Sequence, residues 1–138
     1  MSNIEENSKN RYWEDNELLN FIIELNEKSS YLFQEISKKG VTEVTLLELK
    51  LSEIHSIYWA TKTFCSIRDI GHYQITTLFS FWENFYQELK STSSELDSNT
   101  SWLASVFKEY DGQHEIVLNM LKDDMAGIKT YLPGKTTD

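Results

Sequence analysis

The sequence predicts an all-α fold, an antiparallel four-helix bundle, and two observations carry that expectation. One proline, Pro133, and five glycines in 138 residues leave the chain few helix breakers, since these two residue types most disfavour a helix interior. Apolar side chains also recur at three- and four-residue spacing through four stretches, the period at which an α-helix returns to the same face.

The first helix is expected over 12–39. Leu18, Ile22, Leu25, Leu32 and Ile36 form one stripe, widened by Leu19, Ile23 and Phe33. Lys38 and Lys39 suit the negative end of the helix dipole, and Gly40 can close the helix in a left-handed conformation. Residues 1–10 have no apolar period and read as a disordered tail. The domain then spans 11–132, with a second tail over 133–138.

A second helix is expected over 43–70. Thr42 or Thr45 can cap it, and Thr45-Leu46-Leu47-Glu48 fits a capping box. Leu47, Leu51, Ile54, Tyr58 and Cys65 make its main stripe, and Ile57, Ala60, Phe64 and Ile67 run beside it. An arc this wide implies contact with more than one neighbour.

A third helix, 72–91, keeps the same phase through Ile75, Phe79, Trp82, Tyr86 and Leu89. Its boundary with the second rests on Gly71, because glycine costs about 1 kcal/mol inside a helix. The favoured reading is a break or kink there, and the alternative is one long kinked helix. The segment Ser91 to Ser101, STSSELDSNTS, reads as a loop whose side chains compete for the backbone. Ser98, Asn99 or Thr100 can then cap a fourth helix, 100–131, with Leu103, Phe107, Tyr110, His114, Val117, Leu121, Met125 and Ile128 on one face before Pro133. Each helix carries one tryptophan (Trp13, Trp59, Trp82, Trp102), which suits four elements meeting in one core.

Composition narrows the function classes. The net charge of −9, spread along the chain, argues against general nucleic-acid binding, which needs a basic surface to release counterions. The polar start and the lack of a long apolar run give no sign of a secretion signal or a membrane span, so a cytoplasmic protein is expected. Cys65 is the single cysteine, which excludes an internal disulfide and fits a small buried hydrophobe.

No metal or other cofactor is expected. The histidines are His55, His72 and His114, and none has the Glu-x-x-His spacing of a dimetal bundle site. His114 lies on an apolar stripe and reads as a hydrogen-bonded core residue. Two groups of residues stand out instead. Arg68 and His72 interrupt an apolar stripe four residues apart, where they either line a cleft or form a polar layer in the bundle. Trp59, Ile70 and Phe81 lie off the main stripes and could anchor a partner.

Arg68-Asp69-Ile70-Gly71-His72-Tyr73 resembles the Arg-x(4 to 6)-His signature of the HEPN family, small all-α proteins that include dimeric ribonuclease toxins; here three residues separate the pair. The resemblance implies that Arg68 would bind phosphate and His72 would act as acid or base in a metal-independent ribonuclease. Without that resemblance, the absence of phosphate-loop, metal and nucleophile signatures favours a non-enzymatic interaction module. Such a module would be a homodimeric regulator, immunity or inhibitor protein, or assembly subunit, binding a protein partner, itself, or both. A further alternative is an acidic decoy that blocks a basic nucleic-acid-binding partner.

Overall fold

A computed structural model describes residues 3–39, 44–94 and 100–126, with side chains placed for 16–38, 45–92 and 102–126. Four helices occupy these ranges: α1 (Asn3–Lys39), α2 (Val44–Ile67), α3 (Tyr73–Ser94) and α4 (Thr100–Met125). They form a four-helix bundle in which α1 and α3 each pack on α2 and α4. Side-chain pairs show that neighbours are antiparallel. Lys50 meets Glu35 while Phe21 meets Phe64 across α1 and α2. Gln113 meets Gln74 while Phe85 meets Phe107 across α3 and α4. Short connections between sequential helices favour this up-and-down order.

The stripes become the core. Leu18, Ile22, Leu25, Leu32 and Ile36 from α1 are buried against Leu47, Leu51, Ile54 and Tyr58 from α2, with Ile75, Leu78, Trp82, Phe85 and Leu89 from α3. Leu103, Tyr110, Val117 and Leu121 complete it from α4. Rings fill much of the volume: Phe33 stacks on Phe107 at 4.4 Å, and Tyr58 on Trp82 at 4.2 Å. Aromatic pairs at such distances contribute about 1 kcal/mol beyond the area they bury. Four elements do share one core, but among the described indoles only Trp82 is buried in it, while Trp59 and Trp102 are exposed. Trp13 lies outside the described side chains.

The second and third helices are separate, and the break is set by residue 69 more than by Gly71. Asp69 adopts φ 55°, the left-handed region. The Ile70 amide bonds the Cys65 carbonyl at 2.8 Å, and the Asp69 amide bonds the Ser66 carbonyl at 3.3 Å. These are the two bonds of a Schellman motif, and the buried Ile70 packs beside the buried Cys65 as that motif favours. Asp69 thus occupies the position glycine usually fills, whereas Gly71 has no left-handed φ and open space around it.

His72 starts α3. Its carbonyl accepts from the Ile75 and Thr76 amides, and its Nδ1 accepts from the Gln74 amide at 3.0 Å, so its side chain caps the helix. Other boundaries shift modestly. The helix α1 begins at Asn3, earlier than expected, because nothing in 3–11 breaks a helix even without an apolar stripe. Thr45 lies inside α2 and is not its cap, and α3 continues to Ser94. Gly40, Thr42, Ser98, Asn99, Ile128 and Pro133, on which other boundary expectations rested, lie outside the described residues.

Candidate interaction surface

The two residues of the HEPN resemblance flank the helix break and do not share one helical face. Arg68 is exposed just past the end of α2, its guanidinium 5.5 Å from the Phe64 ring centre. His72 is 3% exposed, stacked on Tyr73, with its Nδ1 engaged in the cap. A turn in Schellman geometry between them replaces the continuous helix that four-residue spacing assumes.

The three expected partner anchors separate in the same way. Ile70 is buried as the apolar residue of the Schellman motif, and Phe81 is partly buried against the core. Trp59 alone stands on the surface, 51% exposed. Its indole donates to His55 Nε2 at 2.9 Å, and the His55 ring stacks on Tyr86 at 5.1 Å. Behind it, the Tyr58 hydroxyl donates to the Glu83 carboxylate, which Lys62 also approaches at 3.7 Å. Burial, reinforced by the Glu83 carboxylate, holds the Tyr58 phenol well above its ordinary pKa, and burial raises that of Tyr86. The result is a rigid wall of rings along the α2–α3 seam, with Trp59 at its outer edge.

The outward side of α2 continues from that edge. Leu49, Ser52, Ser56, Ala60, Thr63 and Ile67 follow one another at three- and four-residue steps, and all six are exposed. Leu49 is 65% exposed and Ile67 74%. Exposed Glu53 lies on the same arc, four residues after Leu49 and three before Ser56, and pairs with Lys28 of α1. The outward positions of the other helices include Glu17, Glu24 and Glu27 on α1, Glu83 and Lys90 on α3, and Lys108, Glu109 and Glu115 on α4. Leu49, Ala60 and Ile67 are therefore apolar residues of α2 that α1 and α3 leave uncovered.

On its other flank, α2 forms a groove of about 1040 Å³ with α1. Phe21, Leu32 and Ile54 contribute apolar lining, and Glu17, Glu24, Glu27 and Glu53 outnumber Lys28 and Lys50 among the charged lining. Both lysines are engaged within the chain, Lys28 with Glu53 at 3.2 Å and Lys50 with Glu35 at 2.7 Å. The Lys50 pKa is raised chiefly by its hydrogen bond to Glu35.

Among the described residues, no group of three His, Cys, Asp or Glu side chains could hold a metal ion. No helix among them is long and apolar enough to cross a membrane. Sequence reasoning overlooked the polar layer that does exist in the core. The Trp82 indole donates to Ser29 Oγ at 3.0 Å, the Tyr110 hydroxyl lies within hydrogen-bonding reach of Ser29 and Asn26, and Asn26 donates to Asp111 at 3.2 Å. Its signal was the gap at Ser29 in the α1 stripe. No protein-family model, curated protein or solved structure matches this chain.

Proposed function

We propose that this protein is a helical protein–protein interaction module that works through the outward face of α2. The observation that carries the reading is the exposure of Leu49, Ala60 and Ile67 on one face of α2, with Trp59 beside it, on a chain whose net charge is −9. Exposed apolar patches of this kind mark contact surfaces, and aromatic residues are favoured anchors within them. The ring wall behind Trp59 holds the indole in place before binding, which lowers the entropy cost of association.

A second reading draws on the α1–α2 groove, whose excess of glutamates over an apolar floor would suit a basic segment of a partner, as an acidic decoy would require. The ribonuclease reading has less support, because His72 is buried and capping a helix while Arg68 points outward from the preceding turn.

The test is retention of a stoichiometric partner from the native cell by wild-type protein and by an Ile67→Glu variant. Both should give the same helical circular dichroism, since Ile67 is exposed. The reading expects wild type to hold its partner and the variant to lose it. Equal retention by both would remove the α2 face from the account, and loss of a complex on salt addition alone would favour the groove.

A further inference from the structure

We infer that the groove between α1 and α2 is a docking site for a basic amphipathic helix of another protein. The inference rests on the groove reading above, independently of the outward face of α2, and adds the secondary structure and side-chain pattern of the occupant.

One wall of the groove is a periodic rim. Glu17, Asn20, Glu24, Glu27 and Tyr31 follow one another along α1 at three- and four-residue steps, and all five are exposed. The rim rises through about 21 Å, about four turns of helix. Beside it lie Phe21, Leu32 and Ile54, so carboxylates edge an apolar floor where an occupant gains by shedding water. The space of about 1040 Å³ runs along the helix axes, which suits an elongated occupant.

Charge sets the sign of that occupant. The groove's charged lining is four glutamates and two lysines, and the lysines already have carboxylates, Lys28 with Glu53 and Lys50 with Glu35. Among the described residues, no cation pairs with Glu17, Glu24 or Glu27. Carboxylates aligned along an apolar floor complement lysines or arginines that flank an apolar stripe. The net charge of −9 attracts the same occupant at long range and opposes an acidic one.

Backbone chemistry sets the secondary structure. An extended segment typically docks by adding a strand to a sheet edge, which takes up its amides and carbonyls. Both walls here are α-helices, whose backbone groups bond within their own helix. A helical occupant satisfies its backbone internally and presents only side chains. Its apolar residues at positions i, i+3 or i+4, and i+7 then face the floor, and its basic residues on one flank face the rim.

Three synthetic peptides of about 18 residues, long enough to span the rim, test this. The first carries leucines on one helical face and lysines elsewhere. The second has the same composition shuffled so that no apolar face forms, and the third has glutamates in place of the lysines. In fluorescence anisotropy at about 50 mM salt, the first is expected to bind with a dissociation constant on the order of 10 µM and the others at least about tenfold more weakly. Glu24→Lys with Glu27→Lys should weaken the first peptide at least about tenfold, whereas Glu109→Lys with Glu115→Lys on α4 should change it less than about threefold. All four glutamates are exposed, so both double variants should keep the helical circular dichroism of wild type.

If the shuffled peptide binds as tightly as the first, and the α1 variant weakens both, the helix is overturned while the groove reading stands. Equal loss in the two double variants would overturn the groove as well, leaving only general attraction between opposite charges. No binding of the first peptide at about 100 µM has the same consequence. The outward face of α2 is intact in all these proteins, so its own test with Ile67→Glu stands apart from each outcome.

Discussion

Trp82 on α3 donates its indole N–H to Ser29 on α1 across the centre of the bundle, 3.0 Å away and with both residues fully enclosed. The helices α1 and α3 are diagonal members of the bundle, each packing on α2 and α4. This bond therefore links two elements that otherwise meet mainly through core side chains, and it helps to fix their relative height.

Ser29→Ala is expected to cost about 1–3 kcal/mol, because it strands a buried donor with no solvent to replace its partner. Trp82→Phe removes the donor but also ring volume. The double variant should therefore be less destabilised than the sum of the two single variants, by roughly 1 kcal/mol. Chemical denaturation of the four proteins measures this coupling, and strict additivity would mean that the hydrogen bond contributes nothing.

The Tyr58–Glu83 bond makes a useful contrast. Glu83 is half exposed and lies near Lys62, so Tyr58→Phe leaves a carboxylate that water and the lysine can still satisfy. The expected loss is at most about 1 kcal/mol. A loss as large as that of Ser29→Ala would show that this half-exposed seam matters as much as the enclosed layer.

Asp69→Gly is expected to stabilise the protein by about 1 kcal/mol. The left-handed φ of 55° penalises a residue with a Cβ, and a carboxylate at a helix C-terminus opposes the dipole. Gly71→Ala should be neutral or slightly stabilising, since nothing lies within 4 Å of the added Cβ. Thermal unfolding would show the first variant melting a few degrees higher. A lower melting temperature for Asp69→Gly would mean that the aspartate side chain itself supports the turn.

The fourth prediction concerns pH. His114 is 4% exposed, and its Nδ1 has no hydrogen-bond partner among the described residues. Burial holds its pKa below the ordinary 6.5. As pH falls below about 6.5 the unfolded chain takes up a proton that the folded chain resists, so stability declines until the folded pKa is passed. His114→Leu removes both the titration and the unsatisfied nitrogen. It should flatten the stability profile below about pH 6.5 while leaving stability at neutral pH equal or higher. An unchanged slope in this variant would assign the acid sensitivity to other groups.

His72 supplies a fifth test. His72→Ala should cost about 1 kcal/mol through loss of the α3 cap, and His72→Asn should recover most of it, because asparagine caps well. If asparagine restores no stability, the ring contributes mainly by packing.

Much of the core was legible in the apolar spacing. Every residue on the main stripes of α1 and α2 is buried, because a 3.6-residue period leaves one choice of inward face. The breadth of the α2 arc was equally visible, since Ala60 and Ile67 already widened it. Harder to read was how the 68–72 segment turns. Gly71 looked like the hinge, but the left-handed position fell on Asp69, where a Schellman motif could bury Ile70 against the core. That choice depends on where α3 must dock, which local propensity does not encode.

The amino-acid order alone determined that the chain is helical and which faces turn inward, because the apolar period is a local property, while it left open whether residues 43–91 form one helix or two. Only the tertiary structure decided which apolar residues have neighbours to cover them. It buried Ile70, half-buried Phe81 and left Trp59, Leu49 and Ile67 exposed, since two flanking helices cannot cover the whole circumference of a third.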